Sequence, residues 1–261
     1  GQSGIGNSIS LVPPYLLLGN TKEETVEVYY NQSLELTTGE KTFTKINRLT
    51  GNGFTGSSGF GYIIGGIGES VAVGAPNSEI NNTPNAGAVF VFADYITGGE
   101  GATGNSQWGQ LASFSGRETG ALYGSSVDLT ESNTDFLLTA GAPGESSGSG
   151  ALYMHNTSTR ALIKKIIPTG SGIQNFGKNV QFIEKDSIRY ILSSYDHGGT
   201  GKIDIFKESQ PGLKDFTKHQ TINPLEGNSG DMYGYSLSSF SGSFLVGAPE
   251  IGGSGKVYYY T

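Results

Sequence analysis

The chain repeats itself. A Gly-Ala-Pro triplet closes a short apolar run at Gly74-Ala75-Pro76, Gly141-Ala142-Pro143 and Gly247-Ala248-Pro249. Two weaker copies fill the gaps, Gly19-Asn20 after Leu16-Leu17-Leu18 and Ser193-Ser194-Tyr195 after Tyr190-Ile191-Leu192. Measured from Gly19 through Gly74, Gly141 and Ser193 to Gly247, the spacings are 55, 67, 52 and 54 residues. The long interval holds two extra loops, Asn77 to Ala86 and Asp94 to Ser106. A fixed period of this size constrains the fold more than any other feature. Each unit is one supersecondary element that cannot bury its own faces and must stack on its neighbours.

Other landmarks keep step. An aromatic-Gly pair opens each unit at Phe60-Gly61, Tyr123-Gly124, Phe176-Gly177 and Tyr233-Gly234, with Ile5-Gly6 as a degenerate first copy. A third apolar run starts at Val26, Gly87, Gly150, Gly201 and Gly255. A fourth covers Phe43 to Leu49, Trp108 to Phe114, Ala161 to Ile167 and Phe216 to Ile222. Short runs rich in Val and aromatics, punctuated by Gly and Pro, read as strands. Ser241-Gly242 between two such runs fits a tight hairpin. The pattern predicts an all-β chain of five four-stranded modules, about 1–59, 60–122, 123–175, 176–232 and 233–261, in one domain. The last module lacks its fourth strand. Radial stacking leaves only short edges, so the expected architecture is a β-propeller, complete in itself or part of a larger one.

Aromatic-Gly, then Leu-Val-Gly-Ala-Pro, then Gly-x-Val-Tyr-x-Tyr resembles the FG-GAP repeat of integrin α-subunit β-propellers. The resemblance covers nearly the whole chain and is closest in modules two, three and five. It implies a non-enzymatic adhesion, protein-binding or surface-assembly module. It also implies a ligand face made by the loops between strands two and three and between one module's fourth strand and the next module's first. We refer to these as the 2–3 and 4–1 loops.

The 2–3 loops are Thr21 to Thr25, Asn77 to Ala86, Gly144 to Gly150, Asp196 to Gly201 and Glu250 to Gly255. The 4–1 loops include Thr50 to Gly59, Arg117 to Leu122, Thr169 to Asn175 and Glu226 to Met232. Candidate binding residues are Asn81, Asn82, Thr83 and Asn85 on the longest 2–3 loop, with Glu145, Asp196, His197 and Glu250 on the others. Loops held by a rigid scaffold concentrate binding. The partner expected is a protein. A lectin-like glycan reading is the alternative, but it calls for the same polar and aromatic residues in every loop, and these loops differ in length and content.

Composition narrows the partner. A net charge of −7 argues against nucleic acid and anionic membranes. No apolar run reaches the roughly 18 residues of a spanning helix. The 14 Tyr and 13 Phe supply area for layers between modules. Zero Cys excludes disulfides. Low charge with Ser, Thr, Asn, Gly and Tyr enrichment points to an extracellular or particle surface. The glycosylation signals at Asn31, Asn81 and Asn156 are no more numerous than chance gives in such a composition.

Catalytic motifs fail on context. Gly51 to Gly56 and Gly99 to Gly104 match a dinucleotide fingerprint, but neither joins a strand to a helix. Gly144-Glu145-Ser146-Ser147-Gly148 matches a nucleophile elbow yet bridges two strands. Gly172 to Asn179 nearly makes a phosphate loop, with Asn179 where Ser or Thr must stand. No enzyme and no cofactor are expected. Integrin-like modules often hold calcium in the loop between strands one and two, where many oxygens must converge. Here Asp128, Glu131, Asn133 and Asp135 are the best remnant, without the required Gly, so a solvated turn and no metal are expected. His155, His197 and His219 lack metal-ligand spacing. The chain starts just after one outer strand and stops just before another. An upstream segment, a partner strand or further modules are therefore expected to cover the Val257 to Tyr260 edge.

Overall fold

The computed structural model describes residues 4–31, 43–51, 57–94, 108–132, 135–225 and 227–261. It is a five-bladed β-propeller. Blade one is β1 (Ile5–Val12), β2 (Tyr15–Asn20), β3 (Thr25–Asn31) and β4 (Phe43–Leu49). Blade two is β5 (Ile63–Ile67), β6 (Ser70–Ala75), β7 (Ala88–Asp94) and β8 (Trp108–Ser115). Blade three is β9 (Ser126–Ser132), β10 (Asp135–Ala142), β11 (Ala151–Asn156) and β12 (Leu162–Ile166). Blade four adds a two-residue strand, β13 (Ile173–Gln174), to β14 (Val180–Lys185), β15 (Ile188–His197), β16 (Lys202–Glu208) and β17 (Phe216–Ile222). Blade five has three strands, β18 (Ser236–Phe240), β19 (Ser243–Ala248) and β20 (Lys256–Tyr260). Every sheet is an antiparallel meander in chain order, apart from β13, which joins blade four by pairing with the end of β15.

The repeat sets the packing. Inner strands β1, β5, β9, β14 and β18 lie side by side in that order. Four apolar clusters, one per joint, hold successive blades together. The aromatic of each opening pair is the wedge: Phe60, Tyr123, Phe176 and Tyr233 are all fully buried against the preceding blade. Its glycine permits the close approach. Gly177 has φ +86, and a side chain there would meet the Ala151 carbonyl and the Cα of Gly141 in blade three. Trp108 stacks edge-on against Tyr15 of blade one at 5.2 Å, a packing role between blades. The outer strands share one irregularity. Each pairing breaks register after the third strand's fourth residue, at Val28/Tyr29, Val91/Phe92, Met154/His155 and Ile205/Phe206. An extra residue at the same place in four blades gives the four outer edges a common twist.

The structure corrects two readings of module four. The residue equivalent to Gly141 and Gly247 is Ser194, not Ser193. Gly177 donates to the Ser194 carbonyl just as Gly124 donates to Gly141 and Gly234 to Gly247. Ser193-Ser194-Tyr195 has neither Gly nor Pro to mark the register at this point. The expected 2–3 loop Asp196 to Gly201 also begins later, since β15 continues through His197 and pairs Asp196 with Gln174 and His197 with Ile173.

Candidate functional site

The 2–3 and 4–1 loops come together on one face and are tied to each other across blades. Asn77 donates to the Ser58 carbonyl, Gly120 to Pro84 and Leu122 to Asn85. The Arg117 to Leu122 loop is also held from blade three, where Gly144 donates to Ala121; at the next joint Asn175 donates to Gly148, and at the last Gly230 donates to Gly199. Glu24 adds a side-chain tie, accepting from the Ser58 and Gly59 amides. The 2–3 loops of blades one to four are thus each fixed to the 4–1 loop leading into the next blade, which makes that part of the face a rigid platform.

Within the Asn77 to Ala86 loop, Ile80 and Thr83 pair backbone to backbone around Asn81 and Asn82, both at positive φ. Two left-handed central residues match the hairpin turn that favours Asn, so these side chains are placed by turn chemistry. Asn81, Asn82 and Asn85 are exposed and Thr83 half-buried. Glu145 differs from its neighbours on the face. It is buried, and its carboxylate accepts from the Tyr153 hydroxyl at 2.6 and 2.8 Å and pairs with Lys165. Burial, then the hydrogen bond to Glu145, pushes the Tyr153 hydroxyl up to about 12. What this loop offers outward is the left-handed turn of Ser146 and Ser147. Asp196 is half-buried, accepting from Asn175 Nδ2 at 2.8 Å with Lys178 Nζ at 3.5 Å. His197 is half-buried beside it and Glu250 is exposed.

Of the calcium remnant, Asp128 is committed elsewhere. Its carboxylate accepts from Gln181 Nε2 at 2.6 Å, Phe182 N at 2.7 Å and Leu129 N at 2.9 Å, joining blades three and four. Asn133 and the Asp135 side chain lie outside the described residues. Among those described, no three His, Asp or Glu side chains cluster as metal ligands. His155 packs on Phe114 at 4.2 Å, and burial lowers it to about 4, so it is a neutral core residue at physiological pH.

Sequence reasoning missed the residue that follows each opening pair. Asn7, Tyr62, Ser125, Lys178 and Tyr235 lie within or just before the first residues of the five inner strands, at their end on this same face. Tyr62 and Tyr235 are about half exposed, and Lys178 Nζ lies 5.8 Å from the Tyr235 ring. The signal was available: a position that varies inside an otherwise constant landmark serves something other than the fold. The charge is also one-sided. Across the loops of this face the sequence places nine carboxylates against two Lys or Arg, with Glu226 the one carboxylate outside the described residues.

No family model matches the sequence, and no curated protein matches it. Among solved structures, the chain is similar to that of the Chaetomium thermophilum Sqt1 bound to the N-terminus of the ribosomal protein L10. Identity is 12% and the TM-score 0.49, over 96% of this chain and 61% of that one. This chain thus spans under two thirds of that structure's length.

Proposed function

We propose that this protein is a non-enzymatic protein-interaction module, of the adhesion or surface-assembly kind, working at a cell or particle surface. Its binding site is the face of 2–3 and 4–1 loops. The observation that carries the reading is the cross-blade tying of those loops around Tyr62 and Tyr235, since rigid aromatics on a preorganised platform make good anchors. The acidic loops favour a partner presenting Lys and Arg, by steering and by pairing at the rim. The resemblance to FG-GAP repeats supports the surface setting.

The test presents immobilised protein to a fractionated surface-protein extract and, separately, to a glycan array. Capture of a protein that weakens with salt is expected. Tyr62→Ala should weaken it by about 2 kcal/mol. Replacing Asn77 to Ala86 with the short Glu250 to Gly255 loop should remove it. Glycan binding without protein capture makes the module a lectin, and capture indifferent to both changes moves the site off this face.

A further inference from the structure

Blade five presents an unfilled copy of the joint that the molecule makes four times. Three positions on each blade face the next one. The first is Leu17, Ala72, Thr139 and Leu192 in blades one to four; the second Val26, Val89, Leu152 and Ile203; the third Val28, Val91, Met154 and Ile205. All twelve are at most 9% exposed. Their counterparts in blade five are Leu245, Val257 and Tyr259, at 43, 70 and 66%.

The polar parts of the joint repeat as well. Ser8 Oγ donates to the Gly61 carbonyl at 2.7 Å, Ser126 Oγ to Gly177 at 2.7 Å, and Asn179 Nδ2 to Gly234 at 2.9 Å. Each is the second residue after its own blade's opening glycine, reaching for the opening glycine of the next blade. Ser236 holds that place in blade five, exposed, with no such carbonyl before it among the described residues. The glycine shelf is bare too. A Cβ on Gly74 or Gly141 would lie 2.1 or 1.8 Å from the next blade's Gly124 or Gly177 oxygen, whereas at Gly247 the nearest atom is Ser236 Oγ of the same blade. Gly150 and Gly201 likewise abut the backbone of Phe176 and Tyr233, while Gly255 meets only its own Pro249. Where an aromatic-Gly pair seats at the other joints, Ser236, Gly247, Pro249, Gly255 and Val257 line an open cleft of about 450 Å³. Among the described residues no strand pairs with the outer edge of β20.

We propose that this face is a docking site for one further repeat unit of the same class: an outer strand on β20, followed by a four-stranded blade opening on an aromatic-Gly pair. Four existing joints define that occupant's chemistry. Its strand carries an apolar residue opposite Val257, as Leu49, Phe114, Ile166 and Ile222 stand opposite Val26, Val89, Leu152 and Ile203. Its opening glycine offers a carbonyl to Ser236, and its aromatic enters the cleft. Continuity with an interface already made four times selects a blade over a bare peptide, because a peptide on the β20 edge leaves Leu245 and the cleft open.

The experiment extends the full chain with a second copy of its own residues 157–224 after Thr261. Thr261 is equivalent to Asn156, so the added loop, β12 strand and blade four follow in phase. The extended protein is expected to stay monomeric, to unfold several degrees higher than its parent, and to exchange the Val257 to Tyr260 amides at least about tenfold more slowly. Changing Phe176→Ser and Gly177→Val in the added copy alone should abolish both gains. An unchanged midpoint with unprotected Val257 to Tyr260 amides overturns the proposal. So does protection of those amides in the parent. Concentration-dependent association of the parent, lost alike in Ile9→Lys and Val257→Lys, also overturns it, because the occupant is then a second copy.

Discussion

Arg189 and Glu208 form the one ion pair among the described residues in which both side chains are nearly sealed from water. The contact is bidentate, Nε to Oε2 at 2.9 Å and Nη2 to Oε1 at 2.5 Å, and Lys214 N also donates to Oε1 at 2.8 Å. Desolvation alone would raise Glu208, but Arg189 and the Lys214 amide hold it below the usual carboxylate range. A depressed folded value stabilises above the unfolded pKa and is lost as pH falls through the folded one, so this pair fails only in acid. Arg189→Ala strands a buried carboxylate and should cost about 3–5 kcal/mol in urea unfolding at pH 7. Asp128 has the opposite sign. Burial pushes its carboxyl to about 7 against the pull of Phe182 N, Leu129 N and Gln181. A raised folded value gives stability that is full below the unfolded value of 3.8 and lost as pH rises towards 7. The excess stability of wild type over Asp128→Asn should therefore shrink between pH 4 and pH 8, and a constant difference would show that the carboxyl titrates normally.

At the scale of the element, the repeat explains both what the sequence made legible and what it hid. Aromatic-Gly pairs, Gly-Ala-Pro shelves and third-strand runs are landmarks because the backbone at each joint leaves no room for anything else. Five copies in phase therefore revealed the blades. Module four lost its shelf glycine, and the register slipped by one residue there. Glu145 read as a loop carboxylate because nothing local says that Lys165 and Tyr153 close over it. Tyr62 and Tyr235 were hidden for the reverse reason, since they sit inside a landmark whose neighbours serve packing. The joint predicts a contrast between two glycines that open the same Gly-Ala-Pro triplet. Gly141→Ala drives a methyl into the Gly177 carbonyl and should cost about 1–3 kcal/mol or more. Gly247→Ala displaces only the exposed Ser236 hydroxyl and should cost less than about 0.5 kcal/mol. Equal costs in thermal unfolding would mean that the shelf does not set the blade spacing.

For the molecule as a whole, the joints are not equally distributed. Blades two, three and four each belong to two apolar clusters, one on either face, whereas blades one and five belong to a single cluster each. Blade one shows the free half as exposed Ile5, Ile9 and Leu11, at positions filled in blade three by Tyr123, Val127 and Leu129, all buried. Stability in stacked repeats is a sum of unit and nearest-neighbour terms, so a terminal blade lacks one interface term that a central blade has. Opening should therefore start at both ends and stop short of the centre. Native-state hydrogen exchange is expected to rank the amides of β6, β10 and β15 as the slowest, with β2 and β19 well below them. The platform would then loosen unevenly, its blade-two and blade-three loops staying fixed while the Glu250 to Gly255 loop frays. Exchange at β19 as slow as at β10 would require that blade five be held by an interaction the four joints do not supply.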